Sequence, residues 1–487
     1  MKYLLKSFLF LLLVASVNTA WSQNKNSTGI NKLKEEAIQN IQSGYSTSKD
    51  IALQIWDFAE VGYKEVKSSA LLQKTLSDNG FDVKAGVAGI PTAFVASYGS
   101  GKPVIGILAE YDALPGLSQE AIPERKAIES TNAGHGCGHN LFGTASVASG
   151  LEIKKLIEQK KLTGTIRVYG CPAEEGGSGK VYMVREGLFN DVDVVIHWHP
   201  NDENAVTMTK ALANSSAKFR FHGISSHAAM APERGRSALD AVEAMDNMVN
   251  MMREHIPQET RIHYVITSGG KAPNVVPDFA EVYYYVRNPD RTLVQSIFER
   301  VVKASKGAAM GTETTTDYEI IGGTYDLLIN NTLASAMQKN LEKVGGVTYT
   351  PQEIEFGKKL QSSFDFKTPL IESVATVKPL KLIGDAGGGS TDVGDVSWTV
   401  PTVGLGAATW IPGTSAHSWQ AVACGGTEIG IKGLMVAAKT MALTAIDLYT
   451  DPSLIEKAKG EFNKARGDNF QYKALLGDRK PALNYRD

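Results

Sequence analysis

Cysteine is scarce: Cys137, Cys171 and Cys424 are the three in a chain of 487 residues. An odd count excludes a fully paired disulfide framework and leaves at least one thiol needing another explanation. A surplus of one charge is missing too. Lys and Arg total 50 against 52 Asp and Glu, for a formal net charge of −2, so nothing favours nucleic acid or another polyanion as partner. Long apolar runs are confined to one place, which excludes a multi-span membrane protein. Charged residues at 21% and hydrophobic residues at 43% exclude a disordered chain and fit a soluble globular protein. The length allows two domains or more.

The one long apolar run stands at the front. In Met1–Ser22, Lys2 and Lys6 precede Phe8–Val17, whose only polar residue is Ser16, and the small residues Ala20 and Ser22 lie before Gln23. These are the three parts of a secretory signal peptide, and the run falls short of the ~20 apolar residues of a span. The expectation is export to a periplasmic or secreted location, with no stable membrane span after removal of 1–22. An exported protein keeps a free thiol only where it is buried or bound.

Beyond the signal, helical stretches (Ile30–Ile41, Lys49–Val61, Asn140–Gln159) alternate with short β-rich runs at Thr92–Tyr98, Val104–Ala109, Thr165–Tyr169 and Val192–His199. Strands alternating with helices predict an α/β sheet covered on both faces. The order changes near Lys210. Ser215–Phe221, Arg236–His255, Arg261–Thr267, Glu281–Arg287, Thr292–Lys306 and Thr314–Ile321 read β-α-β-β-α-β, the split unit of a ferredoxin-like domain. Leu239, Val242, Met245, Val249 and Met252 step by three or four and predict the buried stripe of its first helix. The α/β pattern resumes with the helix Asn330–Val344, the strand Pro401–Leu405 and the long helix Thr427–Tyr449. The predicted organisation is therefore signal 1–22, a catalytic α/β domain in two parts (23–209 and 326–450), an inserted domain 210–325, and a charged tail 451–487 of little periodicity.

Histidines number nine, and their placement is uneven. His135, Cys137 and His139 lie in AGHGCGHN, His197 and His199 in VVIHWHP, and His417 in TSAHSWQ; Glu174 and Glu175 are paired in CPAEEGGSG. Each group alone has an ordinary explanation as loop or surface. All four, however, fall at strand ends of a single α/β domain, where open sheets place their ligand crevice. His, Cys and carboxylate ligands converging there predict a metal site. His197 and His199 point to the same side of their strand, since side chains alternate with period two, and either could ligate. A nucleophilic Cys137 beside His139 is a rival reading that leaves Glu174, Glu175 and His417 without roles. A non-catalytic metal-stabilised binding protein is another, and would be expected to lack the acid pair.

The ordered series LAEYDALPGL, AGHGCGHN, CPAEEGGSGK, WHP, GISSHAAMAPERGRSALDA, GGKAPNVVPD and TSAHSW resembles that of the aminoacylase/carboxypeptidase metallopeptidase family, nearest its amidohydrolase branch similar to p-aminobenzoyl-glutamate hydrolase. The resemblance runs from about Ala37 to Leu448 and identifies the inserted domain with a lid that also dimerises. It implies two divalent ions, zinc or manganese with cobalt admissible, ligated by Cys137, His139, Glu175, His199 and His417, with Cys137 bridging. It implies Glu174 as general base and Asp112 as the carboxylate orienting a ligand imidazole. His227 would reach the partner's site in a homodimer and polarise the scissile carbonyl, while Asn274 and Arg287 would hold substrate. Glu110 stands where many members have a ligand histidine. The implied reaction is hydrolysis of the amide bond of a small-molecule N-acyl amino acid or aminobenzoyl-glutamate-like substrate with a free carboxylate; a dipeptidase or carboxypeptidase of the same family is the alternative. Tyr111 is expected to help shape the pocket.

Overall fold

The computed structural model describes residues 28–381 and 387–487; the expected signal segment 1–22 lies outside them. The β-rich runs form a seven-stranded sheet in the order Asp82–Ala85, Phe94–Gly99, Thr165–Gly170, Val104–Ala109, Val194–Asn201, Thr402–Ala408, Ala205–Val206. The four strands 165–170, 104–109, 194–201 and 402–408 are parallel to their neighbours within this set, and the outer pairings are antiparallel. Every residue of Val104–Ala109 and of Thr402–Ala408 is buried, as required of strands covered on both faces. Helices His139–Glu158 and Glu428–Thr450 pack on each other and on the central strands. The second is long and apolar enough to cross a membrane, yet 89% of its apolar window is buried inside the protein. It is the core helix of an α/β layer.

The inserted unit has its own antiparallel sheet in the order Arg261–Ser268, Phe279–Asn288, Ala213–His222, Thr315–Thr324, and its own hydrophobic core. With the helices Ala238–Met252 and Arg291–Gly311 it follows the predicted β-α-β-β-α-β order. Ser237 caps the first helix by accepting the Asp240 amide, which stabilises it by about 1 kcal/mol. Val242, Met245, Val249 and Met252 are buried as expected. Leu239 is half-buried, and Ala238 and Ala241 take the places against the sheet.

Three expectations need correcting. Residues beyond 451 are not structureless: Pro452–Arg466 is a helix, capped by Asp451, with Ile455, Ala458 and Phe462 buried. That three-and-four spacing was masked by the charged residues between. Tyr111 shapes no pocket, because it is fully buried, stacks on Phe94 and donates to Thr92 O at 2.6 Å. Cys424 begins no turn; it is buried in the helix Trp419–Gly425.

Candidate metal centre

The crevice at the carboxyl ends of the parallel strands collects the predicted ligands. Strand Val104–Ala109 delivers Glu110 and Asp112, strand Thr165–Gly170 delivers Glu174 and Glu175, strand Val194–Asn201 carries His199, and the chain after Thr402–Ala408 leads to His417. Cys137 and His139 enter from the side, where Gly138 at φ +73° turns the backbone into the twenty-residue helix His139–Glu158. The ligand atoms of Cys137, His139 and His199 lie within 4.8 Å of one another, and so do those of Cys137, Glu175 and His417. Cys137 belongs to both triads, so one sulfur is shared by two ligand sets. A third group, Glu110, His139 and Glu174, has the same closeness.

The surroundings orient these groups. Asp112 Oδ1 lies 2.9 Å from His139 Nδ1, and Asp112 Oδ2 accepts the Glu175 amide at 2.9 Å. This leaves His139 Nε2 as the free ligand atom, the usual arrangement for a metal-binding imidazole. His199 Nδ1 lies 2.7 Å from Pro200 O, and its Nε2 lies 3.4 Å from Cys137 Sγ. Burial holds His199 down to about 4, so it stays neutral, the ligating form. His197, one pleat back, packs its ring against Gly404, where a Cβ would lie only 2.3 Å from Nε2. The geometry therefore resolves the pair in favour of His199. His135 is also structural, its Nε2 lying 2.9 Å from Ile55 O.

The cluster is electrostatically incomplete without cations. Glu110 Oε2, His139 Nε2 and Glu175 Oε1 are buried without a hydrogen bond, although His139 Nε2 lies 3.1 Å from Glu110 Oε2 and His417 Nε2 lies 3.1 Å from Glu175 Oε1. Burial and the Glu110 and Glu175 carboxylates push Glu174 well above the usual range. Burial and the Glu175 carboxylate likewise push the Cys137 thiol up, the reverse of what a free nucleophilic cysteine needs. Divalent cations reverse both trends. N, O and S donors aimed at one point, with orphaned buried atoms among them, fit such ions. Ala173, Ser178 and His417 adopt φ of 55°, 59° and 61°. Strain of this kind, about 1–3 kcal/mol per residue, concentrates at functional sites.

Comparison with known proteins agrees with this geometry. Residues 213–312 match the M20 peptidase dimerisation domain. The chain is 42% identical to a p-aminobenzoyl-glutamate hydrolase polypeptide of Escherichia coli K12, over 88% of this chain and 93% of that protein. The chain belongs to the M20 peptidase family. It is accordingly a metal-dependent hydrolase of amide bonds. The human Xaa-Arg dipeptidase is 30% identical over 77% of this chain and 78% of its own length. Among M20 folds, the aminobenzoyl-glutamate utilization protein of Klebsiella pneumoniae superposes with a TM-score of 0.59 at 18% identity, covering 84% of this chain and 97% of that one. A dinuclear metal-binding M20 peptidase of Bacillus subtilis gives 0.58 at 16% identity, covering 84% and 99%. The reading of a non-catalytic binding protein is thereby overturned.

The M20 lid residues lie elsewhere. His227 and Asn274 are exposed neighbours, their loops joined by the Ala228 amide donating to Asn274 O at 3.0 Å. Arg287 sits near the opposite end of strand Phe279–Asn288, roughly 27 Å from Phe279 at ~3.4 Å per residue. One lid does not bring the three together. Lys180 carried no expectation, although it closes the CPAEEGGSGK motif. It is fully buried, 2.6 Å from both Glu110 Oε1 and Asp392 Oδ1. The third acid-rich group is thus tied to a fixed internal cation. A cavity of about 450 Å³ lined by Glu110, Phe142, His199, Asn201, Met208 and Thr391 opens beside the cluster.

Proposed function

We propose that this chain hydrolyses the amide bond of an N-acyl amino acid or aminobenzoyl-glutamate-like compound with a free carboxylate. The observation carrying the proposal is the pair of ligand triads sharing Cys137. The proposed ligands are Cys137 as bridge with His139, Glu175, His199 and His417, and the ions are zinc or manganese, with cobalt admissible. When bound, such ions supply Lewis acidity to a carbonyl and to a water. Glu174 takes the proton of that water and delivers it to the leaving nitrogen. Asp112 keeps His139 in its ligating tautomer. His227 Nδ1 lies 3.2 Å from the amides of Ala229 and Met230 and accepts from both, so Nε2 carries the proton and suits a donor to the scissile carbonyl oxygen. Asn274 assists there, and Arg287 offers a planar fork to the substrate carboxylate.

His227 and Asn274 would act on a partner copy's site in a homodimer. Supporting this, strand Arg261–Ser268 is a sheet edge that exposes Tyr264, Val265 and Ile266, with Met248 and Met251 exposed on the helix Ala238–Met252. A long apolar edge calls for strand pairing or cover. The expected export to a periplasmic or secreted location suits three thiols that are all buried.

Glu174→Gln tests the assignment. It should lose about a hundredfold or more in kcat while metal analysis shows wild-type loading; retention of more than about a tenth of the activity would remove Glu174 as base. A screen of aminobenzoyl-glutamate, N-acyl amino acids and dipeptides decides the substrate, and a preference for dipeptides would replace the amidohydrolase reading with a dipeptidase.

A further inference from the structure

Segment 470–487 has no part in the reaction described above, yet it grips the acid loop from behind. Tyr485 Oη donates to Glu175 O at 2.9 Å, and Arg486 Nη2 donates to the same oxygen at 2.6 Å. The amide of Glu175 is already taken by Asp112. Both backbone polar groups of one ligand residue are therefore fixed, one by the carboxylate that orients His139 and the other by this segment. The Tyr485 ring meets Tyr63 edge-on at 5.5 Å, and Tyr63 Oη donates to Gly177 O at 2.6 Å. Room for the Tyr485 hydroxyl depends on Gly62, where a Cβ would lie 2.0 Å from it. The Arg486 guanidinium lies over the Tyr485 ring at 4.7 Å, and Asp487 pairs with Lys64 at 2.6 Å.

The segment is also tied at its other end. Arg185 donates to Gly477 O at 3.1 Å and to Arg479 O at 2.8 Å, and Arg479 donates to Ile321 O of the lid sheet at 2.7 Å. The loop so gripped carries φ of 55° at Ala173 and 59° at Ser178. Such a conformation persists only where its surroundings over-determine it.

We infer that segment 470–487 is a strap and that Tyr485 and Arg486 are positioning residues, which hold the Glu175 carbonyl and thereby aim the Glu174 and Glu175 carboxylates at the metal centre. This rests on the metal-centre reading above. It is tested on the full chain by Tyr485→Phe/Arg486→Gln, by Arg486→Gln alone and by Arg486→Lys. Zinc affinity is measured by chelator competition, beside kcat, KM and thermal unfolding. Outer-sphere partners of metal ligands typically account for about 10- to 100-fold in affinity or activity. The double variant should bind one equivalent of zinc at least about tenfold more weakly, with kcat lowered and KM little changed. Arg486→Gln alone should show a smaller loss of the same kind, and Arg486→Lys should restore part of it. Folded variants that titrate zinc and turn over like wild type, differing only in melting temperature, would overturn the inference. A wild-type chain that takes up no zinc, manganese or cobalt would overturn the metal-centre reading and this inference with it.

Discussion

The two sheets treat their polar residues in opposite ways. On the large sheet, Glu110, Asp112, His139 and Lys180 are buried to 1% exposure or less and hold one another within 3.1 Å. On the small sheet, His227 and Asn274 are exposed, and apolar side chains such as Val265, Ile266 and Met251 face outward from the same domain. The first arrangement is complete within one chain apart from its cations. The second, on the proposed reading, is half of something. A buried charge network is costly unless every member is paired, whereas an exposed apolar edge is costly unless something covers it. The difference teaches that the proposed chemistry divides between a rigid centre and a surface that would work only on assembly.

The sharpest way to break this comparison is to separate the two parts genetically. His227→Ala should lower kcat by about 10²–10³-fold, the usual cost of an oxyanion donor, with metal content unchanged. Mixing that variant with Glu174→Gln under conditions that let protomers exchange should recover activity, because one hybrid site then has an intact centre and an intact lid histidine. Activity measured against mixing ratio is the check. If the mixture stays dead while each variant is folded and metal-loaded, His227 acts within its own chain and the division fails.

A milder perturbation targets the edge itself. Val265→Lys places a charge on a strand that the homodimer would pair, a common device for blocking such pairing. Dimer dissociation, followed by sedimentation, should strengthen by about tenfold, or ~1.4 kcal/mol. Activity should fall with dilution while zinc affinity stays constant. A sedimentation profile identical to wild type would remove this edge as the interface.

Much of this was legible in the sequence, and the reasons are local. Cys137 and His139 are one residue apart, Glu174 and Glu175 are adjacent, and each group follows an apolar strand, so residue type and position along the chain carried the signal together. His199 against His197 needed depth along the strand, which periodicity does not encode. Lys180 was invisible because its partner Asp392 is 212 positions away; only the fold shows that this lysine is buried between two carboxylates. Tyr485 was hidden in the same way, 310 positions from the carbonyl it holds. The lid residues illustrate a different gap. Sequence named His227, Asn274 and Arg287 individually, but their distribution over both ends of one sheet is a property of strand register.

The smallest expected effect lies at the joint between the regions. Asp395 accepts the Tyr325 amide at 2.9 Å just past the last lid strand, and it accepts the Tyr472 hydroxyl at 2.7 Å where segment 470–487 begins. Burial, opposed by these hydrogen bonds, raises its carboxyl from 3.8 to about 7. A group whose folded pKa lies above its unfolded value binds more protons when folded, so its contribution to stability is complete below the unfolded pKa and is lost as pH rises through the folded one. Between about pH 4 and 7 the wild type should therefore lose stability that Asp395→Asn does not. For a chain of this size the difference should amount to about 1–3 °C in Tm across that window, read as the gap between the two melting curves at each pH. If the gap has the opposite slope, Asp395 is ionised throughout and the joint is an anionic clamp rather than a proton-holding one; the strap would then be tied to the lid by charge, and its hold on Glu175 should weaken with salt.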